Sequence, residues 1–133
     1  KAEENKLGNV TFLPSVSKEE VLDYLHLMDI ALVNLKKSDT FLTVIPSKIF
    51  EAAAVQKPIL LGLEGETKGI IEQYGAGVCF EPENPEEFKN SVIQLFNNRS
   101  DFTAYQSGCS ALANDFERNQ IAARLLESIK LTN

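Results

Sequence analysis

Residues 43–66, TVIPSKIFEAAAVQKPILLGLEGE, join a helix to a strand across one Lys-Pro step and set the frame for the rest of the chain. Pro46 suits the first turn of a helix, where the N–H that proline lacks would have no intrahelical acceptor. The helix is expected from about Pro46 to Gln56, and the strand over 58–63, PILLGL, an unbroken aliphatic run. Such runs belong to sheets covered on both faces. At about 100° per residue, Ser47, Glu51 and Val55 share one side of the helix, with Lys48 flanking it. Ile49, Phe50, Ala53 and Ala54 fill the opposite, core-facing side, and the alanines at 52–54 let the helix lie close to the sheet. One carboxylate in an otherwise apolar helix, beside a serine and a lysine, calls for an explanation.

Working outward, IALVNL (30–35) and GVCFEP (77–82) read as further strands, and VTFL (10–13), closed by Pro14, as another. SKEEVLDYLHLM (17–28) has Ser17 as N-cap and Glu20 three residues later, the capping-box pattern. Val21, Leu22, Leu25 and Met28 form its inner stripe, and His26 lies off that stripe, toward solvent. A short helix starts at Thr67. NPEEFKNSVIQLFNN (84–98) is an amphipathic helix with Asn84 as N-cap, Pro85 at its first position and Glu87 three after the cap. Its expected inner face is Phe88, Val92, Leu95 and Phe96. After a turn near Arg99–Asp101 come helical stretches over 102–113 and 117–130. Strands alternating with helices four times imply an α/β fold, a Rossmann-like parallel sheet with helices on both faces. Ligands of such sheets bind at the C-terminal ends of the strands. Here those ends carry the loops Pro14–Ser17, Lys36–Ile45 and Glu64–Thr67.

The chain has 133 residues, the length of a single domain. Its formal charge of −6 argues against a nucleic-acid partner, which would need a basic face. The opening KAEENKLGN is unlike a signal peptide, and no apolar run is long enough to span a membrane. The chain does not begin with Met, so it reads as a piece of a longer protein. Cys79 and Cys109 form no CxxC pair and read as two reduced, buried or half-buried thiols. The sequons at Asn9 and Asn98 lack a secretory context, and a cytoplasmic location is expected. Neither an Asp-x-Asp nor a His/Cys cluster suggests a metal, and no cofactor is expected.

The chemistry of the Pro-Ser-Lys helix points to a nucleotide. The first amides of a helix and its positive dipole end favour an anion, most commonly phosphate. Lys48 adds a full charge at that end. Glu51, one turn deeper, can accept hydrogen bonds from the hydroxyl pair of a ribose. The helix alone leaves a second reading open, in which Glu51 pairs with Lys48 at i,i+3 on a solvated face, worth a few tenths of a kcal/mol.

The order and spacing of NVTFLP, the helix ending in MDIALVNL, E-A-x-A-x-x-K-P-I-L at Glu51–Leu60, GAGVCFEP (75–82) and PEEF resemble the C-terminal, donor-binding half of a family 4 ("group 1") glycosyltransferase of the GT-B fold. The resemblance covers residues 9–96, and the PSK before the glutamate is similar to bacterial surface-polysaccharide transferases. It implies retaining transfer of a sugar from a nucleotide-diphosphate donor, a UDP-sugar, to a glycan or lipid-linked acceptor. In that family two glutamates stand seven residues apart; Glu51 matches the second, which binds the donor ribose, and Thr43 stands at the first. The relatives' glycine-bearing diphosphate turn is Val44-Ile45-Pro46 here, with Ser47 and Lys48 as the compensating groups. Base recognition falls by position on Phe12, Leu13 and Pro14, and Gly65 and Glu66 match a GE on a loop facing the crevice. The catalytic residues are not assigned. The resemblance further implies an N-terminal acceptor domain, basic diphosphate ligands and the first strand–helix unit upstream of Lys1. It also implies a fragment inactive by itself and peripheral association of the full-length enzyme with the inner face of the plasma membrane. Two alternatives stand beside this reading: a UDP-sugar 2-epimerase-like GT-B domain, whose histidine and acidic residues are not found around the crevice, and a non-catalytic receiver-like α/β module. The receiver would need an Asp at a strand end where this chain has Asn34-Leu35.

Overall fold

The computed structural model describes residues 7–131. Three parallel strands, β1 (Ala31–Asn34), β2 (Ile59–Gly62) and β3 (Gly77–Cys79), form one sheet in the order β1-β2-β3. Ala31 lies opposite Ile59, and Ile59 opposite Gly77. Helix α1 (Lys18–Leu27) precedes β1, α2 (Lys48–Ala54) links β1 to β2, and α3 (Glu66–Tyr74) links β2 to β3. Helices α4 (Pro85–Asn97), α5 (Phe102–Asp115) and α6 (Arg118–Leu131) follow. The α/β, Rossmann-like class expected from the alternation is the one observed.

Successive side chains of a strand point to opposite faces, and the two faces of this sheet carry separate cores. On one, Ala31, Val33, Ile59 and Leu61 meet Ile49, Ala52 and Ala53 of α2, Ile71 of α3, and Cys109 and Leu112 of α5. On the other, Leu60 meets Phe80 and Leu95 of α4, with Val78, Phe102 and Tyr105 around them. Central strand β2 is buried along its whole length, which accounts for its aliphatic sequence. Helix α5 crosses the end of α3 at backbone distance. A Cβ on Gly108 would stand 2.3 Å from the Tyr74 carbonyl oxygen, so only glycine fits there. Both thiols are free, and burial pushes Cys79 and Cys109 each up to about 11, so neither ionises near neutrality.

The expected caps form. Ser17 Oγ accepts from the Glu20 amide at 3.2 Å while a Glu20 carboxylate oxygen accepts from the Ser17 amide at 2.9 Å. Asn84 Oδ1 accepts from the Glu87 amide at 3.1 Å, but the Glu87 carboxylate turns to the Glu81 amide at 2.7 Å instead of returning to the cap.

Expectations for four segments need correction. VTFL (10–13) is not a strand: residues 10–16 have no ladder partner among the described residues, and Phe12 and Leu13 are 74% and 58% exposed. The sheet therefore has three strands, not four. Helix α2 stops at Ala54, because Val55 and Gln56 turn away (Gln56 at φ 56°) ahead of Pro58. Its core side is Ile49, Ala52 and Ala53, the i, i+3, i+4 stripe of a short helix resting on a sheet; Phe50, half-buried against Phe116, faces the core as expected, and Ala54 is exposed. In α4 the buried positions are Ser91 and Leu95; Phe88 rests edge-on against Phe80 at 5.3 Å between centroids, while Val92 and Phe96 (68%) face outward. In α1, Val21 and Leu25 are half-buried but Leu22 and Met28 are exposed.

Candidate functional site

Residues 35–47 carry the chain from the end of β1 to the start of α2, over the C-terminal edge of the sheet. Two cavities run along β1, the first at this edge and the second reaching back to Ala31 at the start of the strand. One, about 320 Å³, is lined by Leu32–Leu35 and by Pro46, Ser47 and Lys48. The other, about 200 Å³, lies between α1, β1 and α2 and is lined in part by Leu25, Met28, Lys48 and Glu51. Lys48 borders both, and the larger by itself reaches the lower end of the size range of small-molecule sites.

The first turn of α2 is built by Pro46 and Ser47. The Ile49 amide donates to the Pro46 carbonyl at 3.2 Å, and the Phe50 and Glu51 amides donate to the Ser47 carbonyl at 3.0 and 3.1 Å. Ser47 has helical backbone angles (φ −57°, ψ −26°) instead of the extended ones of an N-cap, so its side chain does not cap the helix. Its hydroxyl donates to Glu51 Oε1 at 3.2 Å, along the face the two residues share. Both residues are exposed, which leaves the other carboxylate oxygen and the remaining lone pairs open to a ligand. Among the described residues neither Lys48 nor Glu51 belongs to an ion pair, so the i,i+3 pairing left open by the sequence is not formed.

Thr43, Val44 and Ile45 form an exposed turn ahead of this helix, and the loop after β2 meets it. The Glu66 amide donates to the Leu42 carbonyl at 2.8 Å, and Thr67 Oγ1 donates to the Val44 carbonyl at 2.7 Å. Leu42–Val44 and Gly65–Thr67 are thus brought together, while Ser47 and Glu51 meet each other further along the chain. Phe12, Leu13 and Pro14 are exposed, irregular chain ahead of α1, with no hydrogen bond to the α2 turn among the described residues.

The sequence places Thr67 at the end of a crevice loop without showing its partner, and shows nothing of the pair Lys37–Glu81. Lys37 Nζ donates to Glu81 Oε1 at 2.5 Å, tying the loop after β1 to the chain after β3. Partners this far apart in sequence leave no local signal; a Thr directly after Gly-Glu at a helix start was the only visible mark of Thr67. The Lys37 bond and then that of Asn84 hold the Glu81 carboxyl below its ordinary 4.5, and Glu81 in turn holds the Lys37 ammonium above 10.5. Both groups are well exposed, so solvent weakens the pair. For a lowered acid, the stabilisation is present above the ordinary carboxylate value and disappears as pH falls through the lowered one. For a raised base it is present below the ordinary amine value and is lost as pH rises through the raised one. A carboxyl-carbon NMR titration is expected to place Glu81 below 4.5, and Lys37→Met to return it toward that value; a Glu81 midpoint unaffected by Lys37→Met would contradict the pairing.

Fold and cleft together define a Rossmann-like α/β domain with a carboxylate-bearing crevice along β1 of its sheet. Residues 1–114 match the family model of glycosyl transferases group 1, and the chain belongs to that family. Glycosyl transfer from a sugar donor is what the family does, and the match favours this reading over an epimerase-like or receiver-like one. A search of curated proteins finds no match to the chain. No helix of the described residues is long and apolar enough to cross a membrane.

Proposed function

We propose that this chain is the C-terminal donor-binding domain of a retaining group 1 glycosyltransferase of the bacterial surface-polysaccharide kind, and that its ligand is a UDP-sugar. The observation that carries the reading is the Glu51 carboxylate, set on the cavity along β1, steadied by one hydrogen bond from Ser47 and not engaged in an ion pair among the described residues. Glu51 accepts hydrogen bonds from the ribose hydroxyls. Lys48, bordering both cavities, takes the diphosphate, with the first amides of α2 and the Ser47 hydroxyl beside it. Helix α2 has only seven residues, so Lys48 and these local donors outweigh any macrodipole. Thr43, Val44 and Ile45 border the sugar and diphosphate, Gly65 and Glu66 the rim of the crevice, and Phe12, Leu13 and Pro14 the base.

As the bond from sugar to diphosphate breaks, negative charge grows on the leaving group. Donors already aimed at that position stabilise it without reorganising. A second, acceptor-binding domain upstream completes the cleft and supplies further basic residues. The whole enzyme works in the cytoplasm, at the inner face of the plasma membrane, in polysaccharide synthesis, and the isolated half binds the donor without turning it over. The test is a titration of UDP into ¹⁵N-labelled protein followed by backbone NMR. Shifts concentrated on Ser47–Glu51 are expected, with weaker shifts for UMP, which lacks the second phosphate. Shifts elsewhere only, or none, would overturn the assignment.

A further inference from the structure

We propose that Thr67 and Gly65 are positioning residues for the donor site, clamping the turn that leads into α2 from the opposite loop; this rests on the donor-binding reading above. Thr67 is fully buried although polar, and its hydroxyl donates to the Val44 carbonyl at 2.7 Å. One residue earlier, the Glu66 amide donates to the Leu42 carbonyl at 2.8 Å. Gly65 sits at φ 77°, where a Cβ would stand 2.1 Å from the Leu42 carbonyl oxygen and 2.6 Å from its Cα. A backbone neighbour cannot swing aside as a side-chain tip can, so this approach admits only glycine. The first turn of α3 therefore grips Leu42–Val44 by two hydrogen bonds and one close backbone contact. Two residues further on, Pro46 opens the wall that carries Ser47, Lys48 and Glu51. The Val44 carbonyl has no strand or helix partner to hold it, so the Thr67 hydroxyl supplies the fixed point from which Ile45 and Pro46 are aimed. Neither Thr67 nor Gly65 touches the ligand in this arrangement; their effect on binding passes through the backbone of 42–46.

The experiment compares UDP affinity, by calorimetry, across variants of the full 133-residue chain. Thr67→Val keeps the side-chain volume and removes the hydroxyl; it is expected to weaken UDP binding about tenfold, within the range by which a residue away from the ligand alters a coupled site. Thr67→Ser, which keeps the hydroxyl, is expected to bind within about twofold of the parent, the scatter left by a lost methyl. Gly65→Ala breaks the clamp from its other side and is expected to weaken binding as Thr67→Val does, which keeps the test open if one variant fails to fold. Ile71→Val, buried in the same helix but facing the core, controls for loss of stability alone and is expected to leave UDP affinity unchanged. Parent-like affinity in Thr67→Val, or equal weakening in Ile71→Val, would overturn the clamp. If Glu51→Ala weakens binding while Thr67→Val and Gly65→Ala do not, the clamp fails and the donor site stands. If the parent does not bind UDP, both fail.

Discussion

Replacing Glu51 with alanine is expected to weaken UDP binding by about 10- to 100-fold, the worth of a charge-assisted hydrogen bond to a sugar hydroxyl. The fold should hardly notice. The side chain is exposed and makes one hydrogen bond, 3.2 Å to Ser47, so the change in unfolding free energy should stay within about 0.5 kcal/mol. That separation of binding from stability distinguishes a ligand-facing carboxylate from an architectural one. Calorimetry for the affinity and a urea melt for the stability read the two effects independently. Unchanged affinity would remove the ribose role; a large loss of stability would mean that Glu51 serves the fold.

Leu61→Ala should do the reverse and give a large loss of stability. Leu61 is fully buried in the central strand, in one core with Ile49 and Ala53 of α2 and Leu112 of α5. Truncating a buried leucine costs about 2–5 kcal/mol, from lost transfer energy and from the cavity left behind. A whole domain is stable by only about 5–15 kcal/mol. A sheet of three short strands has little to spare, so the urea midpoint should fall steeply and part of the population should unfold without denaturant. The same cavity loosens the seat of α2, so any UDP affinity that survives should be reduced as well. A loss of less than about 1 kcal/mol, within the range of a surface change, would contradict the packing described.

Burial on both sides made the central elements legible in the sequence. PILLGL reads as a strand because β2 is covered from above and below, and the strand it forms is Ile59–Gly62. The caps at Ser17 and Asn84 are equally local, and both form. The misreadings at VTFL and in α4 share a cause: an apolar side chain was assumed to find a partner. VTFL has the composition of a strand, but a strand exists only through its neighbour, and among the described residues it has none. Phe96 and Val92 continue the apolar stripe of α4, yet α4 meets the sheet through Ser91 and Leu95 and leaves them outward. At the candidate site, the shared face of Ser47 and Glu51 follows from helical spacing and was readable. The grip of Thr67 on Val44 joins two loops whose meeting depends on the parallel pairing of β1 with β2, and no local pattern records it.

The central claim, that the Glu51 carboxylate holds a nucleotide's ribose, is tested most directly by extending the UDP titration to intermolecular nuclear Overhauser contacts. Contacts from the ribose protons to the side chains of Glu51 and Lys48 are the expected result. Ribose contacts confined to other parts of the surface, with Glu51 silent at saturating UDP, would contradict it.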